Sequence, residues 1–111
     1  MIKMKKNNQI KELDTIDHVA ILVDHIPRAI AWYTQTFKCK VDRQNKTWAL
    51  LKFDNIHLAL ICSPTHPPHI AVLDKNLKES RDGIMKHRDG SVGRYEHDNA
   101  GNIIERIKYK K

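Results

Sequence analysis

The sequence predicts an α+β domain made of two βαβββ-type units, the second a shortened version of the first. Three observations carry this. An apolar, β-branched segment opening on histidine occurs twice, as His18-Val19-Ala20-Ile21-Leu22-Val23 and as His69-Ile70-Ala71-Val72-Leu73. After the first copy the apolar period is helical, then changes to two. Between the copies, residues 63–68 hold three prolines, which cannot sustain a strand ladder and mark a connector.

Taken in order, residues 1–14 are polar and basic without a sustained period and are expected to form a loosely packed arm. Residues 16–23 predict a strand with His18, Ala20 and Leu22 on one face and Val19, Ile21 and Val23 on the other. Asp24 is the expected helix cap, and Pro27 fits a first turn, where its missing N–H needs no partner. Ile26, Ala29, Ile30, Tyr33 and Phe37 then form one apolar stripe. Val41, Trp48, Leu50, Leu51, Phe53, Ile56, Leu58 and Leu60 predict three short strands, with turns at 43–46 and 54–55. After the connector come a strand at 69–73, a clipped helix at 76–80 and strands at 84–88, 92–97 and 103–109. Asp98-Asn99-Ala100-Gly101-Asn102 is a strong turn signal between the last two.

Composition narrows the function classes. A chain of 111 residues with 41% hydrophobic content is one ordinary globular domain, not a disordered chain. Its apolar runs are far below the roughly 20 residues that span a bilayer, and no cleavable leader follows Met1, so a cytoplasmic protein is expected. Cys39 and Cys62 are too few for a disulfide framework, and reduced thiols are expected. The net charge of +7 lies largely at the ends, in Lys3, Lys5, Lys6, Lys11, Lys108, Lys110 and Lys111. Without exposed aromatics interleaved among basic residues, nucleic acid ranks well behind a small-molecule ligand.

The chemistry sits in three strands. If those bearing His18, His69 and Glu105 lie side by side, two imidazoles and a carboxylate converge, the donor set that holds a divalent ion and leaves positions open for substrate. Each histidine alone reads as a half-buried structural residue. Glu105 in an Ile-rich strand changes the balance, because a buried carboxylate is costly without a positive partner. Trp32, Tyr33 and Phe37 read as core, Cys62 as a small buried hydrophobe, and His25, His66, His87 and His97 as solvated, with pocket roles as the lesser reading.

The segments His18-Val19-Ala20-Ile21-Leu22-Val23-Asp24 with Ala29-Ile30-Ala31-Trp32-Tyr33, then Pro68-His69-Ile70-Ala71-Val72, then Tyr95 through Glu105 resemble, in order and spacing, a single-domain member of the vicinal oxygen chelate superfamily. That family includes glyoxalase I, the fosfomycin- and bleomycin-resistance proteins and the extradiol dioxygenases. The resemblance covers residues 15–109. It implies two modules, about 15–62 and 69–109, paired into an open eight-stranded cradle of mixed sheet, and a homodimer. It implies metal ligands at His18, His69 and Glu105, with manganese, iron, zinc or nickel as the ion. The fourth ligand of glyoxalase-type members falls at Ala59, which cannot bind metal, and the family's substrate-facing tyrosine falls at Tyr95. His57, Ala59 and Arg94 are the candidate substrate-binding residues, with Arg88 and Lys86 as further cations near an anionic group. Two departures stand out: Arg106 where an apolar residue is usual, and a trimmed stretch at 75–82. The implied function is a metal-dependent enzyme acting on a small oxygen-bearing substrate by thiol transfer, dioxygen-dependent cleavage, isomerisation or lyase chemistry. The alternative is a non-catalytic, bleomycin-resistance-like binding protein.

Overall fold

A computed structural model describes residues 12–62, 66–79, 82–87 and 89–110. Most of the basic arm, residues 63–65 of the connector, Ser80 and Arg88 lie outside the described residues. The chain forms β1 (Ile16–Leu22), α1 (Ile26–Thr36), β2 (Lys40–Gln44), β3 (Trp48–Lys52), β4 (His57–Ile61), β5 (His69–Leu73), β6 (Met85–Lys86), β7 (Val92–His97) and β8 (Ile103–Lys108). All eight strands make one sheet in the order β2-β3-β4-β1-β5-β8-β7-β6.

That order reads as two copies of one four-strand unit. β1 pairs in parallel with β4, and β5 in parallel with β8. The antiparallel β3–β4 and β2–β3 pairs are matched by β7–β8 and β6–β7. The copies join through the antiparallel β1–β5 pair, so the two histidine-bearing strands meet at the seam within one chain. The sheet curls into an open half-barrel, and Arg43 on β2 comes within 3.9 Å of Asp89 in the β6–β7 turn, from opposite ends of the strand order.

One face of the first unit packs on α1. Ile26, Ala49, Leu51 and Leu60 are buried there, with Ile21, Val23, Ala29, Ile30, Tyr33 and Leu58 against them, as the helical stripe and strand alternation require. The cap differs from expectation. His25, not Asp24, occupies the N-cap, and its Nδ1 accepts the Arg28 N–H at 3.2 Å. Extended backbone at residue 25 turns the chain directly into Ile26, so an imidazole nitrogen does the work of a capping oxygen.

Among the described residues the second unit has no helix. Residues 75–79 run as turns, with Asp74 Oδ1 accepting the Asn76 N–H and only Leu77 buried. Over 76–79, the described part of the expected helix at 76–80, no helix forms, since one apolar anchor in so short a stretch does not repay nucleation. The outer face of β7 and β8 is polar as a result. Arg106 pairs there with Glu96 at 2.6 Å and Asp74 at 3.3 Å, and Arg94 with Glu96 at 3.2 Å. Arg106 is partly exposed on that face and is held by carboxylates. The β7–β8 turn is as expected: Asp98 Oδ1 accepts the Ala100 and Asn102 N–H groups, and Gly101 takes φ +86°. No described helix is long and apolar enough to cross a membrane.

Leu60 is fully buried between α1 and the sheet. Leu60→Ala should lower unfolding free energy by about 2–5 kcal/mol in urea titration, the range for a leucine cavity in a core. A loss below about 1 kcal/mol would contradict this packing.

Candidate metal centre

The register at the seam builds the site. In the β1–β5 pair His18 lies opposite Ala71 and His69 opposite Ala20, so the two histidines are diagonal neighbours on one face. Across the parallel β5–β8 pair Ala71 lies beside Glu105. Ala20 and Ala71, both buried, thus form a floor of methyl groups, and the space above it is left to the imidazoles and the carboxylate.

His18 Nε2 and His69 Nε2 are 3.2 Å apart, and Glu105 Oε1 is 3.6 Å from the first and 3.2 Å from the second. The ligand atoms of these three residues all lie within 4.8 Å of one another. The outer nitrogens determine what the inner ones are. His18 Nδ1 faces Asp17 Oδ2 at 2.8 Å, and His69 Nδ1 faces the Pro67 carbonyl at 2.7 Å. Both partners are acceptors, so a ring in its neutral form carries its proton on Nδ1 and presents a lone pair at Nε2. Two such nitrogens and a carboxylate oxygen converge within one small space. Such a cluster is stabilised by a cation, and its N, N, O donor set suits a first-row divalent ion. Nδ1 atoms donating to a carboxylate and a backbone carbonyl are the outer contacts that orient metal-binding histidines.

Glu105 is 2% exposed. Burial alone would raise its pKa, but with the His69 and His87 rings in their protonated form, hydrogen bonds and positive charge from them outweigh this and bring it down to about 2. Asp17 behaves similarly: burial opposes ionisation, and hydrogen bonds from His18 and Tyr109 keep its pKa below the usual range. Tyr109 donates to Asp17 Oδ2 at 2.6 Å, and burial with that bond pushes its own pKa up. Tyr95 lies directly across β7–β8 from Glu105, with its ring 5.3 Å from that of His69. Burial, then the charge of Glu105, lifts its pKa to about 12, so at neutral pH Tyr95 is a hydrogen-bond donor and not a base.

The remaining sequence candidates separate. Ala59 is on the site face, 8% exposed and packed with Ala20. Ala20 pairs with Ala59 across β1–β4 just as Ala71 pairs with Glu105 across β5–β8, so Ala59 is the counterpart of Glu105 in the other unit. His57, beside His18 in register, turns to Asp42 at 3.3 Å. Arg94 alternates away from Tyr95 and joins Glu96 on the outer face, so the structure does not bring it to the ligands. His87, expected to be solvated, instead places Nε2 2.8 Å from Glu105 Oε2. The expected strand at 84–88 is described only as Met85–Lys86, and His87 lies in the turn that follows, so strand alternation does not place its ring.

A cleft of about 1240 Å³ is lined in part by His87 and Tyr109, which contact Glu105 and Asp17. Lys75, Lys86, Lys108 and Lys110 line it together with Glu12, Asp14, Asp74 and Glu79, so opposite charges balance.

A family profile described as Glyoxalase/Bleomycin resistance protein/Dioxygenase superfamily matches residues 15–92. No curated protein matches the chain significantly. Among solved structures, a hypothetical protein from Bacillus halodurans C-125 is similar at 18% identity and TM-score 0.74, over 90% of this chain and 97% of that one. A variant methylmalonyl-CoA epimerase of Streptomyces coelicolor is similar at 18% identity and TM-score 0.72, over 90% and 100%. The Mycobacterium tuberculosis methylmalonyl-CoA epimerase is similar at 17% identity and TM-score 0.69, over 87% and 89%. At these identities the likeness is one of fold.

Glu105 has its pKa lowered from 4.5 to about 2, so its contribution to stability is complete above pH 4.5 and is lost as pH falls toward 2. The melting temperature of metal-free protein should fall over that interval, and the difference between wild type and Glu105→Gln should shrink with it. A difference that stays constant from pH 6 to pH 2.5 would contradict the ionised, hydrogen-bonded carboxylate.

Proposed function

Because this chain belongs to the glyoxalase/bleomycin resistance protein/dioxygenase superfamily, we propose that it is a metal-dependent enzyme acting on a small oxygen-bearing substrate. His18, His69 and Glu105 would hold the divalent ion. The observation that carries this reading is the convergence of two histidine lone pairs and one carboxylate oxygen, with both outer Nδ1 protons already committed to acceptors. A divalent ion held there supplies Lewis acidity, drawing negative charge onto substrate oxygen.

The chain's own residues supply the rest. Asp17 and the Pro67 carbonyl keep the histidine rings aimed inward. Ala20, Ala59 and Ala71 present apolar surface and no competing donors. Tyr95, neutral at physiological pH, can donate a hydrogen bond to an oxyanion as charge develops on it. A protonated donor beside a Lewis-acid site favours chemistry through a stabilised oxyanion, of the isomerase or lyase type, over ring cleavage. With Ala59 in place of a second carboxylate, the four-ligand cage of glyoxalase I is not expected. A homodimer remains part of the proposal, to be checked by sedimentation against the 13.0 kDa chain mass.

Elemental analysis of protein purified without chelator should find one divalent ion per chain. His18→Ala, His69→Ala and Glu105→Ala should each abolish it, and chelation should lower the melting temperature of wild type by mass action. Full metal content in all three variants would refute the assignment. Ala59→Glu places a carboxylate at the counterpart of Glu105 and should tighten metal affinity. No change would contradict the site-facing register of β4. Wild-type turnover of the hemithioacetal of methylglyoxal and glutathione should be negligible whichever metal is loaded.

A further inference from the structure

We infer that His87 is a positioning residue of the metal centre: it holds the outer oxygen of Glu105, and Gly93 lacks a side chain in order to admit it. The inference rests on the metal-binding reading above. The two oxygens of Glu105 have different surroundings. Oε1 faces His18 and His69, whereas Oε2 meets His87 Nε2 at 2.8 Å. A carboxylate bound at Oε2 by an imidazole N–H cannot rotate freely, so Oε1 stays directed at the two histidine nitrogens. His87 thereby does for Glu105 what Asp17 does for His18 and the Pro67 carbonyl does for His69. Each of the three ligands then has its second polar atom held by a different part of the chain.

Gly93 shows that this contact is built in. Gly83, Gly90 and Gly101 have positive φ and are explained by their turns, but Gly93 does not and lies mid-sheet, where any residue could adopt its backbone. What it provides is space. A Cβ there would collide with Glu105 Oε2 and lie 3.0 Å from His87 Nε2, the two atoms of the bond in question. The histidine is also anchored from behind. Its N–H donates to the Ser91 carbonyl at 2.9 Å and its carbonyl accepts the Gly90 N–H at 3.0 Å, while Asp89 Oδ1 accepts from both the N–H and the hydroxyl of Ser91. The ring therefore reaches Glu105 from a braced turn.

The test is zinc affinity, measured by competition with a chromophoric chelator, for wild type, His87→Leu, His87→Gln, Gly93→Ala and His69→Ala. His87→Leu should keep one zinc per chain but bind about 10–100-fold more weakly, the usual effect of losing such an outer contact. His87→Gln keeps an N–H donor and should stay close to wild type, a rescue that a merely space-filling role would not give. Gly93→Ala should weaken binding as His87→Leu does, although it removes no polar group, and His69→Ala should abolish binding. If His87→Leu matches wild type while His69→Ala binds nothing, the metal reading stands and the role of His87 falls. A stoichiometric loss in His87→Leu as complete as in His69→Ala would make His87 a ligand and overturn the positioning role. Wild type that binds no zinc would overturn both. Should His87→Leu fail to fold, Gln and Gly93→Ala decide it: Gln weakened to the level of Gly93→Ala, or Gly93→Ala equal to wild type, contradicts the inference.

Discussion

Two histidine nitrogens and a carboxylate oxygen, all electron-rich and all aimed at one another across the β1–β5–β8 seam, set the constraint that organises this protein. Alone, such a group is repulsive and badly solvated, since Glu105 is buried and the histidines are largely covered. It persists because each member is held from outside: Asp17 and the Pro67 carbonyl take the outer histidine protons, and His87 takes the outer carboxylate oxygen. The sheet topology serves the same end. Two similar four-strand units joined back to back bring two histidine-bearing strands together, and the alanines opposite each histidine leave room for the rings.

The parts of this arrangement that are periodic are visible in the sequence. The α1 stripe, the alternation of β3 and β4, the turn at Asp98–Asn102 and the repeated His-led strand follow from local spacing. His18, His69 and Glu105 could therefore be placed from their strands once a second unit was seen to echo the first. What escaped depends on contacts without a period. His87, read as part of a strand at 84–88, reaches Glu105 from the turn after Lys86, and Gly93 matters through an atom it lacks. A lone glycine two residues before Tyr95 in a strand was the available signal, since such a glycine often marks close approach. Arg94 was misplaced for a simpler reason: as a neighbour of Tyr95 in sequence it must face the other side of the sheet.

The shortened second unit shapes the surroundings of the site. Where the first unit has α1, the second has a turn-rich segment pinned by Leu77 and by the Arg106, Glu96 and Asp74 ion pairs. A wide cleft opens by His87 and Tyr109, the side chains that hold Glu105 and Asp17. The ligand geometry rests with the strands, whereas the cleft is lined largely by loops and charged residues. One surface can vary without disturbing the other, as expected where a rigid scaffold presents adaptable loops.

Anomalous diffraction from crystals grown with zinc, collected on both sides of the zinc absorption edge, tests the central claim most directly. A single peak per chain should lie within bonding distance, about 2.0–2.2 Å, of His18 Nε2, His69 Nε2 and one oxygen of Glu105, with His87 still on the other oxygen. Absence of a peak there, or a zinc ion held by other residues with Glu105 turned away from the histidines, would contradict the account.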